Sequence, residues 1–338
     1  MKKIIISLII VAGVLMLNNC NNKENNNSET SKTPNVVDTL IADNGIWTIP
    51  DTNDIPANEF GELVKYGRSL MINTAYYIGP EGKVGKYLGN KMNCTSCHLD
   101  AGTKPYAFNF YSSHARYPQY RARENRILTL ADRINNCIER PHSGKHLPLD
   151  SKEMLAMLSY MKWLGEKVPV NEHVEGDGPL KIDFPTRAAD PAKGELVYKK
   201  ECASCHGPNG EGKMRADNVC YEYPPLWGMT SYQEGSSVHR VLKLGIFIYT
   251  NMPSKLADYK KQRLTVEEAF DVSAFINDET IHPRPKPVTK NDYPNIKTKP
   301  IDYGKGPYID SFPVLQHKFG PYQPIIDYYK KIGKEVKF

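Results

Sequence analysis

The sequence predicts a mainly α-helical fold with two similar domains in tandem and an extended C-terminal strap. The motif Cys-x-x-Cys-His occurs twice, at residues 94–98 and again at 202–206. Each copy is followed by an irregular segment and then by an amphipathic helical stretch, at 151–167 and 264–279. From Ile281 onward the tail holds nine of the 25 prolines, so it cannot form one regular helix. Together these observations predict a duplicated helical unit covered by a strap.

The spacing within the motif is typical of covalent c-type haem attachment. Two thiols three positions apart reach the vinyl groups on one porphyrin edge, and the next residue places a histidine under the iron. A disulfide framework or a shared zinc site explains the pattern less well, since neither requires a histidine after each cysteine pair. The chain is therefore predicted to contain two c-type cytochrome domains with two covalently bound haems. The expected attachment and proximal ligand residues are Cys94, Cys97 and His98 for the first haem, and Cys202, Cys205 and His206 for the second.

The N-terminus is typical of an exported protein. Lys2 and Lys3 precede an apolar run, Ile4–Leu17, which as a helix spans roughly 21 Å, short of a ~30 Å hydrocarbon core. Cys20 resembles the lipidated cysteine of bacterial lipoproteins, with simple secretion and an uncleaved anchor as alternatives. The expected location is periplasmic, with membrane anchoring through Cys20.

Composition divides the rest of the chain. The net charge of +6 is too small for a nucleic-acid binder. The predicted segments are a lipoprotein-type signal peptide (1–20), a flexible tether (21–42), a first cytochrome c domain (43–167), a linker (168–190), a second cytochrome c domain (191–282) and the strap (283–338).

Helix patterns support both domains. A capping box is predicted at Asp150 and Glu153, and another at Thr265 and Glu268. In the strap, helix is expected only from about residue 324. The apolar positions expected in the cores are Met154, Met157, Leu158, Met161 and Leu164 in the first domain, and Phe270 and Ala274 in the second.

The sixth iron ligand distinguishes the two haems. In the second domain Met252 precedes a proline ahead of the last helix, where c-type cytochromes commonly present a thioether. The alternatives are that Met252 is core, or that Met229, His239 or Lys255 is the ligand. Cys220 is expected to be a buried, inert thiol.

The first domain has no methionine in the corresponding place, and Cys137 occupies a similar position after the motif. A thiolate would be favoured by Arg133 and Arg140, which flank it. His114, His142 and His146 are the competing ligands.

Arginines cluster in the same part of the first domain. Several are expected to pair with haem propionates or to face solvent, while one or two are suited to an anionic substrate, because guanidinium forks match sulfonate-like oxygens. The cluster comprises Arg116, Arg121, Arg123, Arg126, Arg133 and Arg140.

Several stretches resemble the dihaem thiosulfate dehydrogenase and tetrathionate reductase family: "NTAYYIGPEGKVGKYLGNKMNCTSCHLDAGTKP", "RINNCIERP", "YPPLWGMTSY", "NMP" and "KFGPYQPIIDYY". The similarity runs from about residue 43 to residue 330. It implies that two thiosulfates and one tetrathionate are interconverted with two electrons. It also implies His/Cys ligation through Cys137, a covalent cysteine–thiosulfate adduct, and substrate binding by Arg123 and Arg133. Electrons would pass between the haems and then to or from a redox partner, such as a small cytochrome c or a membrane quinol-linked donor.

The sequence departs from the family pattern at two positions. Asn251 stands where many members have a lysine, so no lysine ligand switch is expected in this chain. Pro141 stands where a serine is usual, and Ser143 is the nearest hydroxyl that could replace it.

Other functions remain open from sequence. A plain dihaem electron carrier would need methionine or histidine on both irons. A sulfur-oxidation cytochrome would act only inside a multiprotein complex. A dihaem peroxidase fits less well, since its reactive haem needs an open site. The physiological direction depends on potentials that sequence does not give.

Overall fold

The structure is a computed structural model that describes residues 45–286 and 292–338. The predicted signal peptide with Cys20, and the tether up to residue 42, lie outside the described residues. Helices predominate within the described ranges, and strands form two short antiparallel ribbons. The prediction of a mainly α-helical fold is therefore confirmed.

The first domain contains six helices and one ribbon in the described residues. They are α1 (Glu59–Ile72), α2 (Thr74–Ile78), α3 (Leu99–Gly102), α4 (Ser113–Arg116), β1 (Gln119–Arg121), β2 (Arg126–Leu128), α5 (Leu130–Glu139) and α6 (Lys152–Gly165).

The second domain and the strap contain the remaining elements that the structure describes. They are α7 (Pro191–Glu201), α8 (Ala203–His206), β3 (Lys213–Met214), β4 (Tyr221–Tyr223), α9 (Val241–Asn251), α10 (Val266–Ile276), α11 (Val314–Phe319) and α12 (Gln323–Lys331).

The first domain is organised by the packing of α1 against α6. The apolar stripe predicted on α6 lies within the core of this domain, with Leu158 partly buried at its edge. The N-terminal cap differs from the prediction. Ser151, not Asp150, caps α6, and its hydroxyl accepts a hydrogen bond from Met154 N at 3.2 Å. The predicted box with Glu153 is wrong, because the helix begins one residue later, where the serine hydroxyl reaches the third helical amide.

In the second domain α10 packs against both α7 and α9. Phe270 and Ala274 are buried, as predicted. The capping box at Thr265 and Glu268 is confirmed, since each side chain accepts a hydrogen bond from the other residue's backbone N–H.

The same close helix contact occurs in both domains. Gly67 of α1 lies against the backbone of Ala156 in α6, and a Cβ there would stand 2.0 Å from that carbonyl oxygen. Gly194 of α7 lies equally close to the Asp271 carbonyl of α10. Helices α1 and α6 in the first domain, and α7 and α10 in the second, thus meet through a glycine. In each pair the glycine brings the two backbones together.

The strap packs as an extended segment with more helix than predicted. Its apolar residues, including Ile301, Tyr322 and Ile325, join a buried cluster with Val241 and Phe270 of the second domain. The expectation that helix begins only near residue 324 is wrong. The short helix α11 precedes it, because Pro313 stands at its N-cap and Gly320 follows its last residue, so these residues bound a helix instead of interrupting it.

The predicted linker lies against the first domain. Gly176 accepts a backbone hydrogen bond from Tyr106 at 2.8 Å, and Val168 is buried beside Trp47 and Tyr111. No helix among the described residues is long and apolar enough to cross a membrane.

We predict that Gly67→Ala and Gly194→Ala each destabilise the holoprotein by about 1–3 kcal/mol, because the added methyl would overlap a helix backbone that cannot yield locally. Thermal unfolding followed by circular dichroism measures the effect. Gly304→Ala is the matched control, since its Cβ would meet only Lys318 methylenes at ordinary contact distance. Melting temperatures equal to the control would contradict the role assigned to the helix contact.

Candidate active site

A cavity of about 440 Å³ lies in the first domain between the motif loop and α5. One side of it is apolar and the other carries cations. The apolar lining includes Met71, Met92, Phe110, Leu130, Ile134, Ile138, Met157 and Met161. Such a surface suits a flat hydrophobic cofactor with an acidic edge.

The first motif forms a tight loop at the cavity. Asn93 caps a 3-10 turn, Cys94–Ser96, and its side chain accepts a hydrogen bond from Ala75 N at 2.9 Å. The N–H of Cys94 donates to the Thr74 hydroxyl at 2.9 Å. Cys94 and Cys97 are free thiols that line the cavity. The loop therefore presents both thiols without pairing them in a disulfide.

His98 also lines this cavity, and its Nδ1 hydrogen-bonds the carbonyl oxygen of Phe108. The carbonyl can only accept, so Nδ1 carries the proton and Nε2 is left as a metal ligand. The thiols, the imidazole and the apolar walls fit a covalently attached haem.

Cys137 lies in the last turn of α5 and lines the same cavity. Arg133, one turn earlier, donates from Nη1 to Cys137 Sγ at 3.1 Å. Helix α5 is fixed by a capping box between Thr129 and Asp132. The helix thus positions the thiol and its arginine on one face, towards the cavity that holds His98.

The surroundings of Cys137 favour its thiolate. Burial raises the pKa of this thiol, but the charge of Arg133, the interactions with His98 and the charge of Arg140 together lower its pKa to about 7. A buried sulfur that is ionised to a substantial fraction at neutral pH is suited to bind iron or to act as a nucleophile.

The three competing histidines are placed differently. His142 is buried and lines the cavity, where it hydrogen-bonds Asn90 at 3.1 Å, and burial lowers its pKa to about 4. His146 is largely exposed beside Glu139, and His114 is not part of the cavity lining. Among these histidines only His142 shares the cavity with Cys137.

Cations dominate the polar side of the cavity, and Asp177 is the single carboxylate in the described lining. The cations are Arg116, Arg121, Arg123, Arg133, Arg140 and Lys243. Such an excess favours anions.

Arg123 is held rigidly at the cavity wall. Its Nη1 donates to the Gly235 carbonyl at 2.6 Å, and its Nε lies 3.4 Å from the Tyr293 hydroxyl and 3.7 Å from Asp292. Gly235 belongs to the second domain, whereas Asp292 and Tyr293 belong to the strap. Arg123 therefore joins the two domains and the strap at this wall.

Two other arginines of the cluster form ion pairs. Arg140 pairs with Glu124 at 3.1 Å and with Asp292 at 3.0 Å, and Arg126 lies on the surface. Arg126 thus faces solvent, as expected for part of the cluster, and the pairing of other members with haem propionates stays a prediction.

Sequence reasoning missed two residues here. Lys243 comes from α9 of the second domain and lines the cavity, and Asp292 of the strap neutralises two of its arginines. Neither has a local signal, because their positions depend on contacts between segments far apart in the chain. Ser143, proposed to replace a missing serine, has a buried hydroxyl without a partner in the described structure and is not part of the lining.

The second motif forms a similar site in the second domain. Cys202 and Cys205 are free thiols, and His206 Nδ1 lies 2.8 Å from the Pro224 carbonyl, which again leaves Nε2 as a ligand. Met252 caps the C-terminus of α9 and packs in the same apolar cluster as Cys202. These residues fit a second haem with Met252 as a candidate ligand.

The rivals of Met252 lie elsewhere. Met229 is 71% exposed, and Lys255 is exposed as well. His239 is buried near Glu279. Cys220 is a buried free thiol, as expected.

Comparison with known proteins identifies both halves of the chain. A family model described as "SoxA/TsdA, cytochrome c domain" matches residues 86–170, and one described as "Cytochrome c" matches residues 191–279. These matches confirm two c-type cytochrome domains, and hence two covalently bound c-type haems.

Whole-chain relatives are more specific. The thiosulfate dehydrogenase of Thiomonas intermedia is 34% identical over 232 residues, covering 68% of this chain and 70% of the relative. That of Psychrobacter arcticus is 36% identical over 248 residues, covering 73% and 71%. The solved thiosulfate dehydrogenase (TsdBA) of Marichromatium purpuratum matches with a TM-score of 0.63 and 31% identity over 69% of this chain, which spans about half, 49%, of that longer chain. The chain therefore belongs to the thiosulfate dehydrogenase family and is a dihaem enzyme with that activity.

Proposed function

We propose that the protein interconverts thiosulfate and tetrathionate at the cavity of the first domain and exchanges electrons through the second domain. The observation that carries this proposal is the Cys137 thiol, which is paired with Arg133 in a cation-lined cavity that also holds His98. In the reaction two thiosulfates form one tetrathionate and release two electrons, and the new bond joins their sulfane sulfurs.

The proposed ligand sets are His98 with Cys137 in the first domain and His206 with Met252 in the second. When bound, the two haems supply two one-electron centres, which matches the two electrons of the reaction. The imidazole in each domain is oriented by a backbone carbonyl, so its coordinating nitrogen has one fixed direction.

Cys137 is proposed to bond the substrate directly. As a thiolate its sulfur forms a bond to the sulfane sulfur of one intact thiosulfate, and the two electrons lost in this step would be taken up by the two one-electron centres. The second thiosulfate then attacks the sulfane sulfur of that adduct, which forms tetrathionate and returns the Cys137 thiolate. Arg133 stabilises the thiolate at the start and the end of this cycle, because its guanidinium donates to the sulfur.

Arg123 and Arg133 are proposed to hold the sulfonate oxygens. Arg123 is fixed by Gly235, Tyr293 and Asp292, so its charge is preorganised at the wall. The same groups serve both directions of the reaction by microscopic reversibility. Direction in the cell is then set by the partner's potential.

The proposed setting is outside the cytoplasm, with a lipid anchor on Cys20. Covalent attachment suits such a protein, because its cofactor cannot be lost by dilution. A small cytochrome c or a membrane quinol-linked donor is the proposed redox partner, exchanging electrons with the second domain.

We predict that Cys137→Gly lowers tetrathionate reduction by a reduced dye at least about 100-fold, since the nucleophile is removed. Haem content is measured on the same sample to establish that both haems are present. Cys220→Ala is the matched control, because it removes a buried thiol that does not line the cavity. Retained turnover in a fully haem-loaded Cys137→Gly protein would remove Cys137 from the mechanism.

We predict that Met252→His lowers the midpoint potential of one haem and abolishes its sulfur-to-iron charge-transfer absorption, because methionine ligation raises haem potentials relative to bis-histidine ligation. Redox titration followed by absorption spectroscopy provides both readouts. Met229→His, on an exposed side chain, should leave both signals unchanged. Identical spectra for the two variants would exclude Met252 as the ligand.

Film voltammetry of the holoprotein with both thiosulfate and tetrathionate present is predicted to give oxidative and reductive catalytic currents. The physical reason is that one set of groups stabilises the same transition states in each direction. A current in one direction only would argue against the proposed interconversion.

A further inference from the structure

Three of the cations in the cavity form no ion pair with the residues that the structure describes. Arg123 and Arg140 are neutralised by Asp292, and Arg133 donates to Cys137. By contrast, no ion pair or side-chain hydrogen bond joins Arg116, Arg121 or Lys243 to another residue within 45–286 and 292–338. The described lining holds six cations and one carboxylate, Asp177, and the two propionates of a bound haem would offset only part of this charge, so a further anion bound between the cations would be stabilised.

Lys243 is the most informative of the three because it comes from the other domain. It lies on α9, and Ser236 and Ser237 beside it also line the cavity. Burial, together with the charges of Arg240 and Arg121 and against the opposing effect of Asp302, lowers its pKa to about 8. Asp302 is already engaged in an ion pair with Arg240. The fold thus brings an ammonium into the cavity, and the carboxylate that raises its pKa is paired with another cation.

Electrostatic interactions connect the cations near the Cys137 thiol with Lys243 of the second domain. The Tyr117 phenol interacts electrostatically with Arg133, Arg121, the Cys137 thiol and Arg116. Arg121 in turn interacts with Lys243. These interactions connect the cations near Cys137 with Lys243 on α9, and all of these residues line the same cavity.

The proposed reaction needs such an extended site. The second thiosulfate, a dianion, must approach the sulfane sulfur of an adduct that already carries a sulfonate, and the product carries a sulfonate group at each end. In the proposed function Arg133 and Arg123 hold the sulfonate of the thiosulfate that is bonded to Cys137. Without cations at the far end of the site, the incoming thiosulfate would be repelled by the sulfonate of the adduct.

We propose that Arg116, Arg121 and Lys243 form a second oxyanion subsite that binds the sulfonate of the incoming thiosulfate, which becomes the far end of tetrathionate. This inference rests on the proposed function, and it adds that the second domain contributes a substrate-binding residue. The substrate site is then incomplete without the second domain, which also serves electron exchange.

The test uses the full-length holoprotein with Lys243→Gln, Arg121→Gln and the conservative Lys243→Arg. Tetrathionate binding to the fully oxidised protein is measured by calorimetry, where no electron donor is present, together with KM and kcat for thiosulfate oxidation. Each glutamine variant is expected to raise the tetrathionate Kd and the thiosulfate KM by about 10-fold. The kcat should change by less than about 3-fold, and Lys243→Arg should restore binding. Lys199→Gln, on an exposed lysine of α7, is the matched control.

Absorption spectra and haem midpoint potentials separate this role from pairing with haem propionates. Shifted potentials with unchanged Kd and KM in both glutamine variants would assign these cations to the haem and overturn the inference. Unchanged Kd, KM and potentials would overturn it equally, while turnover by the parent protein would leave the proposed function standing. If the parent protein itself neither bound nor converted tetrathionate, the proposed function would fail as well.

Discussion

The contact on which the site depends most is made by Phe108, which lies between the two domains. Its carbonyl oxygen hydrogen-bonds Nδ1 of His98 and so orients the proximal imidazole of the first domain. Its ring stacks on Phe247 of α9, with centroids 5.0 Å apart and planes only 2° from parallel. One residue therefore orients His98 in the first domain and packs against α9, the helix that directly precedes Met252, in the second. Because protein interiors are close-packed, the two haem-binding sites cannot shift independently.

The same junction also explains how a cation from one domain reaches the cavity of the other. Helix α9 packs on Phe108 near its C-terminal end and presents Lys243 to the cavity near its N-terminal end. Across the cavity, Arg123 is bonded to the Gly235 carbonyl and approaches Asp292. The first domain supplies the Cys137 sulfur, whereas the second domain and the strap hold some of the surrounding charges in place. Preorganised charges of this kind do not need to rearrange as the substrate reacts.

The parts of the site that sequence predicts are those with local chemistry. The motif spacing predicts the free thiols at both sites, and the helical turn between Arg133 and Cys137 predicts their contact. Lys243 and Asp292 could not be predicted, since each acts on residues more than a hundred positions away. The one-residue error at the start of α6 has a different cause. Both Asp150 and Ser151 are good N-cap residues, and only the packing of the following apolar stripe decides between them.

Asn251, which stands where many members of the family have a lysine, lies at the same junction between the two domains. Its side chain is fully buried at the junction, where Nδ2 donates to the Tyr106 carbonyl and to the Phe247 carbonyl, both at 3.2 Å. A lysine at this position would have to bury its ammonium or displace the first domain's loop to reach solvent. Asparagine instead ties the loop before Phe108 to the end of α9, directly ahead of Met252. Asn251, which stands in place of a lysine whose amine could compete with Met252, therefore also strengthens the link between the two sites.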